Sequence, residues 1–329
     1  MKPKVVVYKT LPEDVLAYLR EHVALTVIPS EPGRSKAEIA SALEQALLDA
    51  DGAIGASVKI TPAMLDGASR LKVCSTISVG VDNFDVEDLT RRGIVLAHTP
   101  DVLTESTADT VFALILATAR RIVELAEWVK AGHWHGSIGE AQYGVDVNGK
   151  TLGIVGLGRI GGALARRAAL GFGMRVLYAN RHPNEAAERD YGARQVSFDD
   201  LLEQSDFVCL QVPLTPETKG LMGAAQFARM KRSAILINGS RGPIVDEAAL
   251  IAALDAGVIA GAGLDVFEHE PLAADSPLLR MKQVVALPHI GSATHETRHA
   301  MARCAATNLV EALAGNLTRN IANPDVLAR

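Results

Sequence analysis

Thr151-Leu152-Gly153-Ile154-Val155 runs straight into Gly156-Leu157-Gly158-Arg159-Ile160-Gly161, and these eleven residues decide how the chain folds. The first five read as a short buried strand. Beyond the third glycine, Ala163-Leu164-Ala165-Arg166-Arg167 is a helical stretch. A G-x-G-x-x-G run alone is weak evidence, because glycine-rich turns are common. Between a strand and a helix it stands in the context the motif requires. There the glycines let the backbone turn tightly and approach a pyrophosphate at the helix N-terminus, where free N–H groups and the dipole favour an anion. The expectation is a dinucleotide site.

Upstream, strands and helices alternate. Residues 5–8, 25–28, 53–56, 71–75 and 94–97 read as strands, with helical patterns at 37–50, 62–68 and 86–92 and a further helix starting at Pro12, with Glu13 and Asp14 in its first turn. Downstream, strands are expected at 175–179, 207–211, 234–238, 262–265 and 284–287, and a last helix at 293–314. Such alternation predicts doubly wound parallel sheets. Between the two sets, residues 104–130 carry Val111, Leu114, Ile115, Ala119, Ile122, Val123 and Ala126 close to the 3.6 period of one long helix. Residues 133–149 have no period, which in a compact enzyme points to a lid, a binding loop or an interface. The two sets meet near 98–105 and 288–293. Two α/β domains with a cleft between them are expected, 1–98 plus 290–329 and 99–289, without a low-complexity linker.

Composition excludes other classes. With 329 residues, 48% apolar and 22% charged, the chain has the balance of an ordinary globular protein of two domains. A net charge of −5 argues against nucleic acid as a partner. The most apolar helical run, residues 111–119, stops at Arg120-Arg121, far short of the ~20 residues of a membrane span. Lys2, Lys4, Lys9, Glu13 and Asp14 interrupt any export signal. Cys74, Cys209 and Cys304 are odd in number and widely spaced, which reads as reduced thiols in the cytoplasm.

The strand after the glycine motif ends at Tyr178-Ala179-Asn180-Arg181. An acidic residue here would bind the adenosine ribose 2′-OH. Neutral Asn180 and cationic Arg181 instead suit a 2′-phosphate, so NADPH is expected over NADH. Three later segments combine polar residues with strand ends: Asn238-Gly239-Ser240-Arg241, Asp265-Val266-Phe267-Glu268-His269-Glu270 and Pro288-His289. Strand carboxyl ends face the ligand crevice in such sheets, so Arg241, Glu270 and His289 are expected beside a nicotinamide. Reducing a 2-oxo acid needs a hydride on carbon and a proton on the carbonyl oxygen. A histidine held by a carboxylate supplies the proton, and an arginine anchors the substrate carboxylate. His295-Glu296-Thr297-Arg298-His299 matches the H-E-x-x-H of zinc proteases, but no third ligand is evident and Glu296 suits a helix first turn. No metal is expected.

Across essentially its whole length the chain resembles the D-isomer-specific 2-hydroxyacid dehydrogenases. The resemblance is carried by Ser78-Val79-Gly80-Val81-Asp82-Asn83, the glycine motif, Pro213-Leu214-Thr215-Pro216-Glu217-Thr218, Asn238 to Gly242, Leu264 to Glu268 with Glu270-Pro271, and Pro288-His289. It implies a Rossmann cofactor domain inserted in a flavodoxin-like substrate domain. It further implies His289 as proton donor, Glu270 as its partner, Arg241 as substrate anchor, and backbone N–H groups of Val79 and Gly80 on the substrate carboxylate. Gly156, Leu157, Gly158, Arg159, Ile160 and Gly161 would follow the pyrophosphate, and Asn180 and Arg181 the adenosine end. Pro213, Gly239 and Asp265 would border the nicotinamide, and Thr218, Ser240, Gly291 and Ser292 complete the cofactor contacts. The expected substrates are small 2-oxo acids: glyoxylate, hydroxypyruvate and 2-keto-D-gluconate. A homodimer through residues 104–149 is implied, with Trp134 either an interface anchor or a visitor to the neighbouring site. Two other readings stay open: D-lactate or phosphoglycerate oxidation, and a dinucleotide-sensing corepressor.

Overall fold

The computed structural model describes residues 1–28 and 35–328. The chain divides into two compact units, Met1–Leu103 with Thr294–Arg329, and Thr104–Ala293. The crossings thus fall a few residues beyond the 98/99 and 289/290 boundaries that the sequence suggests. Local hydrogen bonds account for the difference. Thr99 N–H donates to Ser78 O at 2.9 Å, keeping that residue with the first unit. Ile290 and Gly291 donate to Asp265, keeping both with the second.

The first unit is built on a parallel sheet of five strands, β1 (Lys4–Val7), β2 (Ala24–Val27), β3 (Gly52–Gly55), β4 (Val73–Thr76) and β5 (Val95–Ala97), in the order β2-β1-β3-β4-β5. This is the flavodoxin-like order. β3 and β4 are buried throughout, as expected of central strands covered on both faces. The Lys36–Leu47 helix starts with a capping box between Ser35 and Glu38. The last long helix, His295–Leu313, returns to pack on β3, β4 and β5, and Ser75 Oγ donates to its Ala305 carbonyl at 2.8 Å.

The second unit holds seven parallel strands: β6 (Thr151–Val155), β7 (Arg175–Ala179), β8 (Arg194–Gln195), β9 (Phe207–Leu210), β10 (Ile235–Asn238), β11 (Gly261–Leu264) and β12 (Val284–Ala286). Their order, β12-β11-β10-β9-β6-β7-β8, winds outward in both directions from β6, the arrangement of a Rossmann fold with one added strand. Apolar layers lie on both faces, one around Leu114, Ile154, Tyr178 and Ile237, the other around Leu201, Leu210, Phe227 and Leu264. The order reverses between β6 and β9, so their carboxyl ends open the ligand crevice.

The expected single helix over 104–130 is two helices, Thr104–Ala119 and Ile122–Lys130. Arg121 between them has φ 54°, and its guanidinium bonds Glu124 and the carbonyls of Ala141 and Tyr143. These contacts turn the chain where periodicity alone would carry it on. Among the described residues no helix is long and apolar enough to cross a membrane.

Candidate active site

At the end of β10, Asn238 is buried and folds the following turn around its own amide. Its Oδ1 accepts from Ser240 N and Oγ, both at 3.2 Å, and its Nδ2 donates to Arg241 O at 3.0 Å. The next residue must be glycine: a Cβ on Gly242 would lie 1.8 Å from Phe267 O. That close approach brings Arg241 alongside the segment leaving β11.

On this segment Asp265 is only 2% exposed, and its carboxylate accepts from Ile290 N at 2.7 Å and Gly291 N at 2.8 Å. It ties the exit of β12 to the exit of β11 and so positions His289, whose φ of 55° is the left-handed conformation rarely taken by a non-glycine residue. His289 Nδ1 is 2.8 Å from Glu270 Oε2, and Glu270 Oε1 accepts from Phe267 N at 3.2 Å. An ionised carboxylate only accepts, so the Nδ1 proton faces Glu270 and Nε2 is the ring nitrogen not engaged by that carboxylate.

The two acids are pushed in opposite directions. Burial raises the Asp265 carboxyl above its ordinary range, and its two backbone hydrogen bonds compensate only in part. Burial also works to raise Glu270, but the hydrogen bond and charge of His289, the Phe267 N–H and the Arg241 charge outweigh it, and its carboxyl lies below the usual range. Glu270 is therefore held as a carboxylate, the form that orients an imidazole and stabilises its protonated state. Arg241, Glu270 and His289, from three strand ends, are one charge-coupled group within the second unit.

The glycine motif forms the turn between β6 and the Arg159–Arg166 helix. Gly156 has φ 98°, and a Cβ there would lie 2.7 Å from Gln211 O; one on Gly161 would lie 2.4 Å from Gly156 O. A Cβ on Gly158, the residue that caps the helix without a side-chain bond, would meet nothing within 4 Å. Packing thus explains the outer glycines, whereas the middle one keeps open the space before the N–H groups of the first turn, beginning with Arg159 and Ile160. A nicotinamide dinucleotide fits this cradle, since its pyrophosphate needs that clearance and those donors.

Asn180, at the end of β7, clamps the turn. Its Oδ1 accepts from Leu157 N at 2.7 Å, and Leu157 O accepts from Asn180 Nδ2 at 3.4 Å and Asn184 Nδ2 at 3.0 Å. Arg181 beside it is exposed, and its charge helps lower the Glu217 carboxyl, whose first cause is a hydrogen bond from Thr215. Thr218 Oγ1 donates to Pro213 O at 2.6 Å and staples that loop. Gly239 and Ser240 lie in the Asn238 turn, and Gly291 and Ser292 follow His289.

In the first unit, Val79 and Gly80 leave the carboxyl end of β4. Val79 O faces His98 Nδ1 at 3.0 Å and Gly80 O accepts from Ser78 Oγ at 2.6 Å. Among the described residues no group of three or more metal-binding side chains occurs. His299, of the protease-like motif, pairs with Asp14 at 2.9 Å. Sequence reasoning misses two supports, Asn184 and the Phe267 N–H; of these only Asn184, an Asn in the N-cap position of the Glu185–Tyr191 helix, carries a local signal.

Residues 112–291 match the family description D-isomer specific 2-hydroxyacid dehydrogenase, NAD binding domain. The chain is 57% identical over 326 residues to glyoxylate/hydroxypyruvate reductase B of Klebsiella pneumoniae strain 342, covering 99% of this chain and 100% of that protein. Among solved structures it is similar to a protein from Thermus thermophilus, with 43% identity, TM-score 0.86 and coverage of 97% and 99%. It is also similar to the NADPH-dependent glyoxylate/hydroxypyruvate reductase of Sinorhizobium meliloti, solved with NADP and malonate, with 34% identity, TM-score 0.82 and coverage of 94% and 93%. The chain belongs to the D-isomer specific 2-hydroxyacid dehydrogenases, oxidoreductases that work with a nicotinamide dinucleotide.

Proposed function

We propose that this enzyme reduces small 2-oxo acids to 2-hydroxy acids and prefers NADPH to NADH. The substrates are glyoxylate, giving glycolate; hydroxypyruvate, giving D-glycerate; and 2-keto-D-gluconate, giving D-gluconate. The observation that carries the reading is the His289–Glu270 pair, 2.8 Å apart, with the Arg241 charge acting on the same carboxylate. The relatives named for glyoxylate and hydroxypyruvate reduction support the substrate class.

A reduced dinucleotide, when bound, supplies the hydride to the substrate carbonyl carbon. The remaining work belongs to the chain. His289 Nε2 gives its proton to the carbonyl oxygen as the C–H bond forms, and Glu270 holds the imidazole in register through Nδ1. Arg241 binds the substrate carboxylate and polarises the carbonyl. Val79 and Gly80 contribute N–H donors to the same carboxylate. Across the reaction one hydride and one proton are consumed, and His289 is reprotonated from solvent.

Arg181, exposed at the end of β7 where a ribose-binding acid would repel a 2′-phosphate, supports the NADPH preference. A cytoplasmic homodimer belongs to the same proposal. Initial rates with the three acids, each with NADPH and NADH, test it. Faster turnover with NADPH is expected, and Arg181→Ala should raise the NADPH KM about 10-fold while leaving that of NADH in place. Equal rates with both dinucleotides overturn the preference, and dinucleotide binding without turnover of any 2-oxo acid overturns the enzyme reading.

A further inference from the structure

The loop proposed to hold the substrate carboxylate is itself held from behind by a neighbouring strand end. Thr99 N–H donates to Ser78 O at 2.9 Å, and His98 Nδ1 lies 3.0 Å from Val79 O, which as an acceptor requires the Nδ1 proton. Within one trans peptide the C=O and N–H point in opposite directions. Drawing the Ser78 carbonyl toward Thr99 therefore turns the Val79 N–H away from it. Drawing the Val79 carbonyl toward His98 turns the Gly80 N–H away likewise. Because His98 and Thr99 are consecutive, both N–H groups face away from the same short segment. Neither donates to another group among the described residues. Two successive N–H groups turned to one side make an anion-binding concavity.

His98 is in turn fixed at both of its own peptide groups. Its N–H donates to Asn320 O at 3.0 Å, its carbonyl accepts from buried Asn308 Nδ2 at 2.9 Å, and Asn320 Nδ2 donates to Asn308 Oδ1 at 3.1 Å. The returning helix, through Asn308, and the segment after it, through Asn320, thus brace the histidine.

We infer that His98 is a positioning residue for substrate binding: its Nδ1–H sets the Val79–Gly80 peptide plane and thereby aims the Gly80 N–H at the substrate carboxylate. This rests on the proposed role of Val79 and Gly80 as carboxylate donors. In this role His98 acts through the loop, by its bond to Val79 O.

The test compares His98→Leu, which removes the donor, with His98→Asn, whose amide nitrogen can take the place of Nδ1. Readouts are KM and kcat for glyoxylate, the affinity for oxalate as an unreactive dicarboxylate, and NADPH affinity by fluorescence. His98→Leu should raise the glyoxylate KM and weaken oxalate by about 10-fold each, the loss of one well-aimed donor to a carboxylate. Its kcat should stay within about 3-fold of the parent and NADPH affinity should not move, while His98→Asn returns KM to within about 3-fold. A merely structural histidine would lower the melting temperature and the active fraction without shifting KM. Unchanged KM and oxalate affinity in folded His98→Leu overturns the inference, as does His98→Asn being impaired to the same degree. His98→Phe, which keeps the ring volume without the donor, replaces the leucine variant if that one fails to fold. If the parent enzyme reduces no 2-oxo acid, the proposed function fails, and oxalate binding still decides the role of His98.

Discussion

His289 and Glu270 are each partly exposed, with side chains 46% and 36% accessible, so neither is held by burial alone. What fixes them is a set of short-range bonds: Asp265 on the two N–H groups after His289, and the Phe267 N–H on Glu270. His289→Gln should lower kcat by about 10²- to 10⁴-fold, the worth of a positioned proton donor, with dinucleotide affinity retained. Unchanged turnover would remove His289 from the chemistry. Glu270→Gln keeps the shape and loses the charge. Since the folded-state carboxyl lies below its ordinary range, its ionisation stabilises the fold above the unfolded value of about 4.3, and that contribution is lost as pH falls through the folded value. The gap in melting temperature between parent and Glu270→Gln should therefore close as the solution is acidified below the ordinary carboxylate range. A gap that widens on acidification would contradict the direction of the shift.

At the level of elements, the turn after β6 separates packing from ligand clearance. Gly161→Ala places a methyl 2.4 Å from a backbone oxygen and should lower the melting temperature markedly, whereas Gly158→Ala meets no protein atom and should not. Gly158→Ala should instead weaken NADPH by about 10-fold or more, read by fluorescence titration, because its methyl occupies the pyrophosphate side of the turn. Equal affinities in parent and Gly158→Ala would mean that the dinucleotide does not lie there. The long apolar strands and the glycine turn are legible in the sequence because their signals are local: β6 and β7 are delimited to the residue, and most other strands to within one or two. The Glu185–Tyr191, Phe198–Gln204, Ala224–Arg229 and Glu247–Asp255 helices are not, although the six-residue Val86–Arg91 helix falls within the expected 86–92. The break at Arg121 is hidden as well. No glycine or proline marks it, and the guanidinium bonds that stabilise it reach carbonyls some twenty residues away. The site shows the same division. Strand-end segments point to Arg241, Glu270 and His289, while the hydrogen bonds of Asn180 to Leu157 and of His98 to Val79 join residues whose spacing carries no pattern.

On the scale of the whole molecule, the distribution of exposed apolar side chains bears on assembly. Seven of the fifteen large apolar side chains exposed among the described residues lie between Ile122 and Val145, and Trp134 is 61% accessible. The Ile122–Lys130 helix contributes no buried residue at all. A helix with apolar residues and no buried face lacks the packing that ordinarily stabilises one, and so many exposed apolar side chains in one segment point to an interaction surface. The proposed homodimer accounts for it, because a second copy offers the same apolar segment in a self-complementary contact. Arg121 then serves assembly indirectly: by holding the carbonyls of Ala141 and Tyr143 it keeps the 133–149 loop folded back on the helix break, where Val145 N–H donates to Ala119 O at 2.8 Å. Val123→Glu combined with Val129→Glu places like charges in this segment without touching either sheet. Sedimentation should then show a dimer for the parent and a monomer for the double variant, with NADPH affinity preserved because the glycine turn is elsewhere in the unit. A parent that sediments as a monomer, or a double variant that stays dimeric, would assign this surface to something other than a second copy of the chain.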